Sequence, residues 1–207
     1  MTNRSLPLKA LLALLLTALS ATTAFAQASA EAGQAKAAVC GACHGPTGNE
    51  SPLPNSPKLG GQGERYLLKQ LQEIKGGVRV VPQMAGILDP MTDQDLANLA
   101  AWFSSQAAPQ GAADPARREL GERLFRAGDA TIGVAACSAC HAPNGAGNHA
   151  AGYPALSGQD AAYTELQLKA FRDGARTNDA AEVMRTTAAR LNDREIAALA
   201  SYISGLR

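Results

Sequence analysis

Two stretches of the chain carry apolar residues at the spacing of a helix buried along one face: Leu96, Leu99, Ala100 and Phe103, and Ile196, Leu199, Ala200 and Ile203. Each follows a start signal. Thr92 with Asp95, and Asn192 with Glu195, place an N-cap side chain three residues before an acidic group in the first turn, so both stretches are predicted as final helices. Ala- and charge-rich runs at 30–39 and 118–127 predict leading helices, and 64–75 and 161–173 predict middle ones. Val78 to Val81 is the only β-branched run and is too short to build a sheet. The expected class is all-α. Residues 104–115, rich in Ala, Gln, Gly and Pro, predict a linker over the surface.

The first apolar stretch obeys a different rule. Arg4 and Lys9 precede a run at 10–19, and the small-residue site Ala24-Phe25-Ala26 follows, which is the three-part pattern of a secretory signal peptide. A run of about ten residues is half of the roughly 20 needed to span a bilayer. Residues 1–26 are therefore expected to be cleaved after Ala26, exporting the remainder.

Composition adds a puzzle. The 207 residues are 46% hydrophobic and 18% charged, which fits a soluble globular protein, and a formal charge of +1 argues against nucleic acid as a partner. Loss of Arg4 and Lys9 would leave 17 basic against 18 acidic side chains. Aromatics number only nine, one Trp, four Phe and four Tyr. Units of about 80 residues are marginal without a staple, metal or cofactor, so something else must help fill the interior.

The cysteines supply it. Export first suggests two disulfides, but the spacing does not: Cys40-Gly41-Ala42-Cys43-His44 and Cys137-Ser138-Ala139-Cys140-His141 are both C-x-x-C-H, the haem c attachment pattern. Two thiols a helical turn apart add to the vinyl groups of one haem, and the adjacent His lies under the iron. All four cysteines and two of three histidines are used by these two copies. Each haem would serve as a large apolar part of a core.

The motifs sit in an internal repeat. Shifting the chain by 97 residues superposes Pro46 on Pro143, Pro57 on Pro154, Gln62 on Gln159, Tyr66 on Tyr163, Gln70 on Gln167 and Arg79 on Arg176. Fifteen of the 40 positions from Cys40 to Arg79 are identical. Beyond Arg176 the second copy gains three residues, and Met84 then falls on Met184 while Met91 falls on Leu191. Met84 and Met184 are thereby the candidate sixth ligands, whose soft thioethers stabilise ferrous iron, and Met91 reads as core. His149 aligns with Pro52 in a Gly/Ala/Asn loop and reads as a surface or packing residue.

Together these features resemble the diheme class I c-type cytochromes, most closely the cytochrome c4 family, over essentially the whole mature chain. The resemblance rests on the two C-x-x-C-H motifs, each followed by P-x-L-x-G and a later Met. It implies two tandem all-α cytochrome c domains at 27–104 and 116–207, joined by a linker at 105–115, each wrapped around a covalently attached haem c. Cys40, Cys43, Cys137 and Cys140 would form the thioethers, and His44 with Met84 and His141 with Met184 the axial pairs. Pro57 and Pro154 would accept from the imidazoles of His44 and His141. Gly33 and Gly121 resemble the small residues that admit the final helix, with Trp102-Phe103 and Tyr202 as partners. Tyr66, Tyr163, Arg79 and Arg176 are candidates for haem propionate contacts, against the plainer alternatives of packing for the tyrosines and a solvated face for the arginines. The second copy departs from the first in having nine more residues between its leading-helix glycine and its first cysteine.

The family reading implies a periplasmic monomer that carries electrons between a respiratory donor, such as a bc1-type complex, and a terminal oxidase of the cbb3 or similar type, freely or loosely held at the membrane surface. No catalytic base or substrate pocket is evident in the sequence, so no enzymatic activity is expected. Two alternatives stand beside it: a cytochrome subunit of a dehydrogenase, which would use the same residues, and a diheme peroxidase-like or thiosulfate-oxidising enzyme in which one iron is open or switches ligand, with His149 as the alternative ligand of the second haem.

Overall fold

A computed structural model describes residues 27–207, and the segment expected to be a signal peptide, 1–26, lies outside the described residues. Each half places a leading and a middle helix against a final one. In the first half these are α1 (Ala30–Lys36), α2 (Ala38–His44), α3 (Glu64–Lys75) and α4 (Asp93–Ser105). In the second they are α5 (Pro115–Ala127), α6 (Ser138–His141), α7 (Ala161–Arg172), α8 (Val183–Ala188) and α9 (Asp193–Ser204). Among the described residues no strand forms; isolated bridges join only Asp129 to Val134 and Asn148 to Tyr153.

The capping signals act as anticipated. Thr92 Oγ1 accepts from the Asp95 N–H at 3.1 Å while the Asp95 carboxylate accepts from the Thr92 N–H at 2.9 Å, and Asn192 and Glu195 repeat the exchange. The leading helices differ from expectation. Instead of ending at 39, the first breaks at Ala37, and α2 carries the chain on through the first C-x-x-C-H motif. The leading helix of the second half begins at Pro115, because Asp114 caps it and proline suits a first helical turn.

The long contacts in each half are leading helix on final helix and middle helix on final helix. Gly33 and Gly121 make the first of these possible. A β-carbon on Gly33 would lie 2.5 Å from the Asn98 carbonyl carbon and 2.8 Å from Trp102 Cβ, and one on Gly121 would lie 2.6 Å from Tyr202 Cβ. Phe103 packs elsewhere, across Gly48. Leu67, Leu88, Met91, Leu96, Leu99 and Phe103 close the first core; Leu124, Phe125, Leu191, Ile196, Leu199 and Ile203 close the second. Met91 and Leu191 are thus both core residues.

The connection between halves is shorter and better held than composition predicted. Ser104 and Ser105 belong to α4 and Pro115 to α5, leaving 106–114. Asn49 Nδ2 donates to the Ala107 carbonyl at 2.8 Å, Ser204 Oγ to that of Ala112 at 2.8 Å, and the Asp114 N–H donates to Ser201 Oγ at 2.9 Å. Both halves therefore grip it. The nine extra residues before Cys137 form a turn closed by the Asp129–Val134 pair and held by Arg190, which donates to the Ile132 carbonyl at 3.2 Å. They leave the α5–α9 seam as close as its counterpart.

Candidate functional site

Each C-x-x-C-H motif lies in one helical turn, so its two sulfurs and its imidazole share one side of the chain. No disulfide joins any of the four cysteines. Burial pushes the Cys40 thiol up and that of Cys137 up to about 11. The following turn takes a positive φ in both halves, 80° at Gly45 and 65° at Ala142.

His44 and His141 are buried, and burial holds each imidazole below its usual basicity, only partly opposed by a backbone partner. That partner is proline in both halves. His44 Nδ1 lies 3.0 Å from the Pro57 carbonyl and His141 Nδ1 lies 2.9 Å from that of Pro154. A carbonyl only accepts, so the neutral ring carries its proton on Nδ1, leaving Nε2 with its lone pair and no hydrogen-bond partner among the described residues. This is the tautomer a metal-ligating imidazole needs.

Met84 ends a short 3-10 turn, Pro82–Met84, and lines a cleft of about 170 Å³ with Ile74, Val81 and Leu88 and with the charged Lys75, Arg79 and Asp89. Met184 arrives differently, in the first turn of α8. The three added residues produce that difference: Ala181 and Glu182 both take positive φ, 52° and 58°, ahead of the helix. Both sulfur-bearing side chains are half-buried.

The arginines and tyrosines are half-buried and meet one another between the halves. Arg79 donates to Gln70 Oε1 of its own half at 2.9 Å and crosses to the Tyr163 hydroxyl at 3.0 Å and Gln167 Oε1 at 3.2 Å. Arg176 mirrors it, reaching Gln167 at 2.8 Å, the Tyr66 hydroxyl at 3.1 Å and Gln70 at 3.1 Å. Burial pushes the Tyr66 phenol up, but the Arg176 and Arg79 guanidiniums outweigh it and hold it below its ordinary value. Each hydrogen-bond partner of these two arginines is uncharged, Arg176 adding only Asn178 Oδ1, and neither forms an ion pair among the described residues. The Glu73 carboxylate acts on Arg79 from nearby and the Phe171 ring faces the Arg176 guanidinium at 4.5 Å, but two half-buried cations outnumber that one carboxylate, which suits further carboxylates of a bound group. The cysteine pairs without disulfides, the Nδ1-protonated imidazoles and these guanidiniums together fit a haem in each half.

Two further pairs carry no functional role in the sequence reading. Gln62 and Gln159 are buried and each reaches the opposite half. Gln62 Oε1 accepts from the Ala155 N–H at 2.8 Å and its Nε2 donates to the Ala155 carbonyl at 2.9 Å; Gln159 does the same to Lys58, at 2.8 and 2.9 Å. Gln70 and Gln167 join the arginine network. The repeat register contained all four, but a glutamine beside a glycine-rich turn reads as surface until its partner is known. His149 is exposed and lies against Gly63 of the other half, beside Glu64, Arg65, Leu68 and Ser104.

Comparison with known proteins agrees with this arrangement. The family described as Cytochrome c matches residues 30–107 and 119–207. Cytochrome c4 of Stutzerimonas stutzeri is 56% identical over 208 residues, covering 96% of this chain and 99% of that relative. The crystal structure of reduced recombinant cytochrome c4 from Pseudomonas stutzeri superposes with a TM-score of 0.85 at 57% identity, covering 87% of this chain and all of that one. A thiosulfate dehydrogenase electron acceptor of Thiomonas intermedia is 38% identical over 86% of this chain and 83% of its own length.

Proposed function

Because the chain belongs to the cytochrome c family, we propose that it relays single electrons between respiratory redox proteins in the periplasm. It is a diheme electron-transfer protein of the cytochrome c4 kind, not an enzyme, and carries two covalently attached haem c groups. The haem supplies the one-electron ferric/ferrous couple; the chain holds it, orients its ligand and sets the potential.

The first half, 27–104, would hold one haem through Cys40 and Cys43, with His44 and Met84 as the iron ligands; 116–207 would hold the other through Cys137 and Cys140, with His141 and Met184. The observation that carries this assignment is the pair of Pro–His contacts at 3.0 and 2.9 Å. They stop the imidazole from rotating and strengthen it as a donor through the opposite nitrogen. Arg79, Arg176, Tyr66 and Tyr163 would hold the propionates, which would add negative charge beside the two guanidiniums. Near-equal numbers of acidic and basic side chains give no net charge to steer the approach of a bc1-type donor or a cbb3-type or similar oxidase. The 106–114 connection joins the halves in a monomer.

A thiosulfate-oxidising role is not favoured, since the relative bearing that association is the more distant one. The ferric optical spectrum tests the ligand set. Two Met-ligated irons give the weak red Met-to-iron charge-transfer band and no high-spin signal; a high-spin fraction in the native protein, or rapid peroxide turnover, refutes the carrier reading. Met184→His lowers the potential of one haem and spares the other, whereas equal shifts in both refute the assignment.

A further inference from the structure

We infer that Gln62 and Gln159 are positioning residues that act across the interface, each tuning the axial histidine of the opposite half through a single peptide group. The inference rests on the ligand assignment above and extends it to residues outside either haem's own half.

The peptide joining Pro57 to Lys58 has two ends. Its carbonyl accepts from His44 Nδ1 at 3.0 Å, and its N–H donates to Gln159 Oε1 at 2.8 Å. The amide is conjugated, so a hydrogen bond to N–H raises the electron density at the carbonyl oxygen and strengthens the bond that oxygen accepts. Gln159 therefore strengthens the pull of Pro57 on the His44 proton, making the imidazole a better donor to iron. The mirror relay runs from Gln62 Oε1 through the 154–155 peptide to His141, at 2.8 and 2.9 Å.

Three further features make each glutamine a fixed part. Gln62 and Gln159 are 7% and 8% exposed, so water hardly competes for their amides. Each Nε2 donates to the carbonyl of the same residue whose N–H it reads, at 2.9 Å in both halves, locking the amide's orientation. Each Oε1 also accepts from the next backbone N–H of its own half, Gly63 at 2.8 Å and Asp160 at 3.1 Å, tying the relay to the start of a middle helix.

The test is a crossed pair of variants in the haem-loaded protein. Gln159→Met keeps the side chain's length and removes its hydrogen bonds; Gln62→Met does so on the other side. Redox titration is followed through the methyl resonances of Met84 and Met184, which separate the two steps. Gln159→Met should raise the potential of the first-half haem and leave that of the second nearly unmoved, with the His44 Nδ1 proton of the ferrous protein moving upfield; Gln62→Met should do the reverse. Shifts confined to the glutamine's own half, equal shifts in both, or none overturn the relay. If either variant fails to fold, amide exchange in the wild type decides: the Lys58 and Ala155 N–H groups should be strongly protected, and rapid exchange at either overturns the inference. Loss of the red charge-transfer band from the wild type would instead overturn the ligand assignment, so the two failures read differently.

Discussion

Gly33→Ala and Gly41→Ala make the same chemical change in adjacent helices of one half, and the structure assigns them opposite signs. Both lie within helices, where replacing glycine by alanine favours the helix by about 1 kcal/mol. At Gly41 nothing opposes that gain, since the atom nearest an added β-carbon is Pro46 Cα at 3.9 Å. The repeat places Ser138 at this position in the second half. At Gly33 the added carbon meets Asn98 C at 2.5 Å and Trp102 Cβ at 2.8 Å. Neither atom can move away by a side-chain rotation, so α1 must retreat from α4 by about 1 Å to restore ordinary contact distance. Overpacking against such a backing costs about 3 kcal/mol, the upper part of its usual range. The net loss is about 2 kcal/mol, roughly 30-fold in the folding equilibrium. Denaturant unfolding followed by Trp102 fluorescence measures it, because the chain's one tryptophan sits in the seam being opened. A Gly33→Ala protein as stable as Gly41→Ala would refute the close-packed seam.

Three other outcomes follow from features already described. The Asp95 carboxyl is held at about 2 by hydrogen bonds from the Thr92 backbone, the Thr92 hydroxyl and Lys36; the stability it contributes is full above its ordinary value of 3.8 and disappears as pH falls through 2. Asp95→Asn should flatten that part of the acid-unfolding profile, and an unchanged profile counts against the role of the cap. Ala142 holds φ 65° and ψ 155°, a region suited to glycine, at about 2 kcal/mol of strain, so Ala142→Gly should stabilise by about 1 kcal/mol after the entropy of the freer unfolded chain; a lower thermal midpoint would contradict it. Across the interface, a double-mutant cycle of Arg176→Leu and Tyr66→Phe should give a coupling of about 1 kcal/mol, and additive effects would mean that their 3.1 Å contact contributes nothing.

What the sequence made legible was local or repeated. The capped helices, the two attachment motifs and the seam glycines depend on residues a few positions apart, or on a register seen twice. The break at Ala37 was hidden because alanine carries no stop signal and the helix resumes one residue later. Met184 could be aligned with Met84, but the strained pair Ala181 and Glu182 that starts its helix has no composition cue. The arginines were harder still: with no carboxylate in their motif the sequence left propionate contact and a solvated face both open, and only the folded chain brings Tyr163 to Arg79 and Tyr66 to Arg176. Gln62 and Gln159 were hidden for the same reason, since their partners are the backbone groups of residues 93 and 101 positions away.

The crossed contacts have one more consequence. Arg79 meets Tyr163 as Arg176 meets Tyr66, and Gln62 meets Ala155 as Gln159 meets Lys58. That reciprocity defines an isologous surface, of the kind by which two copies of one subunit close on a two-fold axis. The chain is in effect a homodimer written as a single gene product, and residues 106–114 are the tether that keeps its two protomers at an effective concentration in the millimolar range. Each half has since diverged at the flanks, in the turn before Cys137 and the helix carrying Met184, while the surface that must fit its own image has kept its symmetry.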